Sequence, residues 1–455
     1  MDEIARALVD ALGADAVLLD EDVTSRGAGI WRADTLQARV LVRPRSTEEV
    51  SRALAVCHAH GQRVVPHGGL TGLVEGALTQ PDDVVLSLER MQTIEAIHPL
   101  ERTAVVQSGV ILQTLQEAVA DEGLTFPLDL GGRGSCTVGG NIATNTGGNR
   151  VIRYGMMRDM VLGLEAVLAD GTIVSSMNQM IKNNAGYDLK QLFIGTEGTL
   201  GIVTRAVLRC REQARTQPTA LVGVASFDGL TRFLKAADQG LGGQLSAFEV
   251  MWQNYYQLVT EPPATNNAPL SRDYPFYVLV EALGAEEATL EAMLAEALEA
   301  QLIVDAVVAR SEAQRLELWA LRDDVEQTFR FGPVFLFDVS LRIPCMEDYV
   351  ATVNERLGEA LPDARNFTLG HMGDGNLHFA VSAGTDALET RRVVERCIYE
   401  PLAAIGGSVS AEHGIGLEKK PYLAIARDET EVALMRTLKQ ALDPRGILNP
   451  GKIFD

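Results

Sequence analysis

Two stretches hold glycine at a density that an ordinary packed core cannot use: PHGGLTGLVEGA at 66–77 and PLDLGGRGSCTVGGNIATNTGGN at 127–149. Protein interiors are close-packed, and glycine brings no side chain to fill space. Small residues in such numbers leave a void unless something from outside the chain occupies it. Glycine also lets backbone N–H groups approach a bound group and form concave anion-binding nests. Ser135, Thr137, Asn141, Thr144 and Asn145 add donors among the glycines. The pattern predicts loops that wrap a ligand carrying a diphosphate and a polar ring. Neither stretch is GxGxxG opening a helix or GxxxxGK[ST], so neither a Rossmann nor a P-loop site is indicated. In a third stretch, KNNAGYDLKQLFIGTEGTLGIVTRAVL at 182–208, Gly195, Gly198 and Gly201 recur every three residues. That is too often for a stable helix, and the segment reads as turns leading into the strand GIVTRAVL.

A chain of 455 residues predicts two or three domains. Its 61 acidic against 40 basic residues give a net charge of −21, which excludes nucleic acid and anionic membrane as main partners. Cys57, Cys136, Cys210, Cys345 and Cys397 are scattered, with no CxxC spacing, which suggests a reducing compartment and no thiolate metal site. The acidic N-terminal segment reads as an amphipathic helix without the basic and apolar regions of a signal peptide. No stretch approaches the roughly 18 apolar residues of a transmembrane segment. The expectation is a soluble cytoplasmic protein.

From residue 36 the pattern is strand, helix, strand, glycine turn, with Ser46 and Glu49 as a capping box. Short strands follow at 84–88 and 103–109, then a helix at 110–121 and a hairpin about Asp170-Gly171. The polar run REQARTQPTA at 211–220 marks a domain boundary. Beyond it, the strands LVGVAS, FYVLVEA, FLFDVSL and LHFAVS alternate with helices at 286–300, 311–330, 347–360 and 385–403. This predicts an α+β layer, an antiparallel sheet with helices on one face.

The chain has only seven histidines, yet two flank the turn in HMGDGNLH at 371–378 and a third follows a glutamate in SAEHG at 410–414. Gly373, Asp374 and Gly375 form a turn between strand-like FTLGH and LHFAV, so both imidazoles can face one point. Glu412 arrives from a separate segment. His371, His378 and Glu412 are a donor set that suits Zn²⁺ or Mn²⁺ with open positions for a ligand. His413, next to Glu412, is well placed to move a proton.

Six motifs, GGLTG, the 127–155 glycine segment, GYDLKQLFIGTEGTLGIVT, HMGDGNLH, SAEHGIG and LDPRGILNPGK, occur in this order. Together they resemble the vanillyl-alcohol-oxidase-type flavoenzymes, specifically the FAD-linked D-2-hydroxyacid dehydrogenases. The likeness is greatest to the D-2-hydroxyglutarate type, with D-lactate dehydrogenases and the glycolate oxidase flavin subunit as relatives. The resemblance implies a two-part α/β FAD-binding domain at 1–210, a substrate- and metal-binding domain with an antiparallel sheet at 211–425, and a C-terminal segment at 426–455 that returns to the FAD domain. It places the diphosphate on the Gly68-Gly69-Leu70-Thr71-Gly72 loop, with Pro66 as a further cofactor contact. It places the flavin ring and ribityl chain against Pro127, Leu130, Ser135, Cys136, Thr137, Gly139, Gly140, Asn141, Ala143 and Thr144, with Glu197, Gly201, Ile202 and Asn449 as further contacts. Attachment is expected to be non-covalent, because His67 precedes the glycine pair where flavin-linking relatives carry a histidine after it.

The resemblance also implies the reaction. The metal holds a D-2-hydroxyacid by its C2 hydroxyl and carboxylate, His413 is the general base, and hydride passes to flavin N5. Arg322 matches a carboxylate-binding arginine, with a helix-surface ion pair to Asp323 or Glu326 as its alternative role; Arg330 and Asn376 are further substrate-binding candidates. Leu336 and Ala380 depart from the pattern, which has lysine and asparagine there. Losing two donors weakens a second carboxylate's binding and gives a shorter or more apolar tail, such as D-lactate, real weight. No CxxCH and no iron–sulfur cysteine run is present, so electrons leave to an external acceptor, an electron-transfer flavoprotein or a quinone. A homodimer is expected from the likeness alone. The rival readings are an oxygen-using alcohol oxidase of the same superfamily and a flavin subunit of a multi-subunit glycolate or lactate oxidase.

Overall fold

The computed structural model describes residues 3–30 and 32–454. The chain separates into two units: Met1–Gly148 with Gly155–Gln213 and Glu412–Asp455, and Asn149–Tyr154 with Ala214–Ala411.

The first unit holds two main sheets. In one, the strands Val17–Leu19, Val40–Val42, Val84–Ser87 and Val64–His67 lie in that spatial order, the last three mutually parallel. The helix Thr47–His60 crosses over between two of them. Ser46 caps it by accepting from the Glu49 N–H, and Gly61 ends it in the left-handed region at φ 64°. Glu49 reaches back one residue further than the capping box predicts, accepting from the Arg45 N–H at 2.8 Å. Val50, Ala53, Leu54 and Cys57 of this helix pack on Val42, Val64 and Leu86 of the sheet. The other sheet is antiparallel, in the order Ile94–His98, Thr103–Gln107, Ile202–Arg209, Val161–Val167, Ile173–Ser176, and includes the hairpin expected at Asp170-Gly171. The end of the chain adds to the first sheet: the Val64 N–H donates to Ile447 O and the Asn449 N–H to Val64 O, both at 2.8 Å.

The second unit is a seven-stranded antiparallel sheet, ordered Asp305–Val308, Thr219–Val224, Phe276–Ala282, Leu245–Trp252, Arg365–His371, Asn376–Ser382, Val334–Ser340. Helices cover both faces, not one. On one face Phe233 meets Phe248, Tyr349 meets Phe379 and Tyr399 meets Phe337. On the other, Tyr255, Tyr256, Leu318 and Trp319 bury Met251, Leu369 and Ala380. The reason is visible in FYVLVEA, where every residue is buried. A strand that is apolar on both faces must be covered on both. The expected helix over 311–330 ends earlier: an α-helix spans Glu312–Asp323 and a 3₁₀ segment Val325–Phe331.

Side chains alternate across a strand, so register decides which of them meet. Leu369 lies opposite His378, and His378 opposite Asp338; Phe367 lies opposite Ala380, and Ala380 opposite Leu336; Glu249 lies opposite His371. All eight therefore share one face.

Candidate functional site

The glycine stretches meet backbone to backbone. A Cβ on Gly69 would lie 2.0 Å from Ser135 O, one on Gly68 2.6 Å from Thr137 Oγ1, and one on Gly148 2.1 Å from Asp129 O. Around this contact, among the described residues, nothing accepts a hydrogen bond from the N–H of Gly68, Gly69, Leu70, Thr71 or Gly72. Buried Ser108 Oγ and Asn449 Oδ1 also lack partners among the described residues. Five successive free N–H donors form an anion-binding surface, which fits the diphosphate expected there. Gly69→Ala forces a methyl group into Ser135 O. Such overpacking costs about 1–3 kcal/mol, so FAD affinity is expected to fall about 5- to 150-fold, read as the ratio of flavin to protein absorbance after dialysis.

His67 lies behind this loop. Its Nε2 meets Ala77 O at 2.9 Å, and burial pushes its pKa down to about 4, so it is neutral and donates there. Glu197 points elsewhere: its carboxylate accepts from the N–H groups of Ile415 at 2.7 Å and Gly416 at 2.9 Å, and its carbonyl accepts from Asn449 Nδ2 at 2.8 Å. Burial raises its pKa above the usual carboxylate range, and the two N–H groups only partly oppose this. Gly198 backs onto Pro66, so Pro66, Glu197 and Asn449 are brought together. The Ile202 side chain sits in the apolar core of the first sheet.

His371 and His378 face one another across the Gly373–Gly375 turn, with ring centroids 5.2 Å apart and planes at 83°. Each of His371, His378 and Glu412 offers a ligand atom within 4.8 Å of the others. The segment leading to Glu412 is fixed by the sheet that carries the histidines. Ser408 and Ser340 exchange backbone hydrogen bonds, and the Ala411 N–H donates to Asp338 Oδ2 at 2.8 Å, beside His378. His413 follows, half-buried.

Arg322 is half-buried, its side chain 12% exposed, and its main partner is neither Asp323 nor Glu326. Its Nε donates to Glu249 Oε2 at 2.9 Å and its Nη2 meets His371 Nε2 at 3.1 Å, while Asp323 lies 3.4 Å from Nη1. Glu249 is 1% exposed and accepts from His371 Nδ1 at 2.8 Å. Burial works to raise the pKa of Glu249, but the facing Arg322 guanidinium and the His371 N–H outweigh it and hold the carboxyl below its ordinary value. A carboxylate only accepts and a guanidinium only donates, so His371 carries its proton on Nδ1 and presents a bare Nε2. Among the described residues, neither amide atom of buried Asn376 has a partner, and Asn376 shares its strand face with His378. Arg330 donates from Nη2 to Leu258 O at 2.9 Å, while its buried Nε and Nη1 have no partner among the described residues.

Sequence reasoning missed Glu249. It also missed Glu281, which is fully buried and accepts from Arg150, Arg315 and Trp319 on the same sheet face. The available signal was a lone carboxylate inside an otherwise apolar strand, LSAFEVMW and FYVLVEA. Such a group must be paired inside the fold. A groove of about 720 Å³ in the second unit, lined by Ile152, Leu234, Ile343 and Gly373 among others, contains none of the three candidate ligands.

Residues 38–176 match the model of an FAD binding domain and residues 213–453 that of the C-terminal domain of FAD linked oxidases. The chain is 40% identical over 423 residues to a mitochondrial D-2-hydroxyglutarate dehydrogenase of Bos taurus, covering 92% of this chain and 77% of that one. It is 38% identical over 442 residues to the D-2-hydroxyglutarate dehydrogenase of Xanthomonas citri, covering 95% and 93%. A putative mitochondrial D-lactate dehydrogenase of Schizosaccharomyces pombe is 37% identical over 430 residues, covering 91% and 82%. In fold, p-cresol methylhydroxylase superposes with a TM-score of 0.78 at 16% identity, covering 100% of this chain and 96% of that one. A 4-ethylphenol oxidase from Gulosibacter chungangensis gives 0.76 at 18%, covering 99% and 96%. No described helix is long and apolar enough to cross a membrane. With a free-donor glycine cradle, FAD-domain matches over both halves and relatives of about 40% identity across nearly its whole length, the chain belongs to the FAD-linked D-2-hydroxyacid dehydrogenases.

Proposed function

We propose that the protein oxidises a D-2-hydroxyacid to the 2-oxoacid with a divalent cation, Zn²⁺ or Mn²⁺, held by His371 Nε2, His378 and Glu412. The observation that carries this reading is the convergence of those three donors within 4.8 Å. Two neutral imidazoles and one carboxylate suit either ion. FAD, when bound, supplies the hydride acceptor, and the cation supplies the positive charge that favours an alkoxide over an alcohol. His413 takes the proton from the C2 hydroxyl oxygen. Arg322 offers its guanidinium to the C1 carboxylate, and Asn376 offers an amide that has no other partner among the described residues. FAD is bound without a covalent link, a reading supported by the place of His67 before the glycine pair and not after it. Electrons leave to an external flavoprotein or quinone. The enzyme works as a homodimer in the cytoplasm, a reducing compartment that suits its five unpaired cysteines.

For the tail, the names of the relatives and the two free nitrogens of Arg330 support D-2-hydroxyglutarate. A second reading, D-lactate or another apolar-tailed acid, is favoured by the row Phe367, Ala380, Leu336 two residues along from His378. The test is anaerobic bleaching of the flavin's visible absorbance by D- and L-2-hydroxyacids. Bleaching by D-acids only is expected, with the fastest acid naming the tail. Failure of every D-acid to bleach removes the dehydrogenase reading. Full turnover after metal removal would instead favour an oxygen-using oxidase, and co-purification with a second polypeptide in fixed ratio would favour a complex subunit.

A further inference from the structure

We propose that Glu249 is the positioning residue of the cation site, acting through His371 and holding Arg322 in register with it. Three observations converge. Glu249 is 1% exposed and directly opposite His371 in the sheet, so the pairing of two central strands aims it. Its carboxylate receives the Nδ1 proton of His371 at 2.8 Å, which leaves Nε2 as the only ring nitrogen able to bind a cation. Its Oε2, which also lies 2.7 Å from His371 Nδ1, accepts from Arg322 Nε at 2.9 Å, and this sets Arg322 Nη2 at 3.1 Å from that bare Nε2. The guanidinium is thus a cationic group resting on the nitrogen that a metal ion would use. Cation binding requires Nη2 to leave Nε2, while Nε keeps its partner on Glu249. One carboxylate therefore fixes both the tautomer of a ligand and the placement of the arginine that faces it.

Carboxylates bonded to the far nitrogen of a metal-binding histidine fix ring orientation and raise ligand basicity, and losing one typically costs about 10- to 100-fold in metal affinity. The proposal rests on the metal reading above, so the experiment separates the two. Full-length protein with bound FAD is stripped of metal by chelator and titrated with Zn²⁺ against a colorimetric competitor. The wild type is expected to bind one ion per chain and His371→Ala to bind far more weakly. Glu249→Gln is expected to weaken Zn²⁺ about 10- to 100-fold, with Glu249→Asp recovering part of the loss. In the His371→Ala background, Glu249→Gln is expected to add nothing, because the residue through which it acts is gone. Unchanged FAD content and near-ultraviolet circular dichroism mark each variant as folded. If Glu249→Gln binds Zn²⁺ as the wild type does, or weakens it by the same factor with and without His371, the positioning role is overturned and the metal reading stands. If the wild type binds no ion, both fall.

Discussion

Replacing His378 by alanine is expected to lower the rate of flavin reduction by a D-2-hydroxyacid roughly 1,000-fold while leaving bound FAD unchanged. A cation at a developing alkoxide is worth several kcal/mol, and about 4 kcal/mol corresponds to that factor. His378 is half-buried and lies opposite Asp338, on a strand of the second unit's sheet that carries none of the glycine-rich stretches. Its loss therefore acts on metal content and not on flavin content, and the two are measured separately by elemental analysis and by absorbance. Chelator treatment of the wild type is expected to reproduce the loss, and re-addition of Zn²⁺ or Mn²⁺ to reverse it; whichever ion restores turnover at lower concentration identifies the preference. Full activity in a demonstrably metal-free wild type would remove the cation from the chemistry.

His413→Asn is expected to slow flavin reduction roughly 100- to 10,000-fold, the range for loss of a positioned general base. The neighbouring Glu412 backbone is anchored through Ala411 on Asp338, so the asparagine variant keeps the ligand segment in place and its Zn²⁺ content is expected to match the wild type. Rapid-mixing absorbance under anaerobic conditions measures the step directly. A fall of less than about 10-fold with metal retained would take His413 out of the proton transfer and leave the base to be sought elsewhere. The paired measurement of rate and metal content keeps this result distinct from that of His378→Ala.

Much of the fold was legible because its signals are local. The Asp170-Gly171 hairpin, the Ser46 cap and the strands of the second unit are written in turn residues and apolar runs a few positions long. The same is true of HMGDGNLH, where a glycine turn and two histidines seven residues apart announce their own proximity. The strand Leu245–Trp252 and its Glu249 were passed over because nothing within a few residues of Glu249 hints at a partner. His371 is 122 residues away. The expectation of helices on one face failed for a related reason: the apolar runs were read for length, and their burial at every position was not followed to both sides of the sheet.

By itself, then, the sequence determined that His371 and His378 flank one turn and that glycine crowds two backbone segments, since glycine spacing and histidine turns act over short range. Only the tertiary structure decided what the site's side chains are bonded to: Arg322 on Glu249 as well as Asp323, His371 fixed as one tautomer, and Leu336 set directly across from Ala380. These outcomes depend on the register between strands distant in sequence. A shift of one residue turns every side chain to the opposite face, so register is settled only when the whole sheet packs.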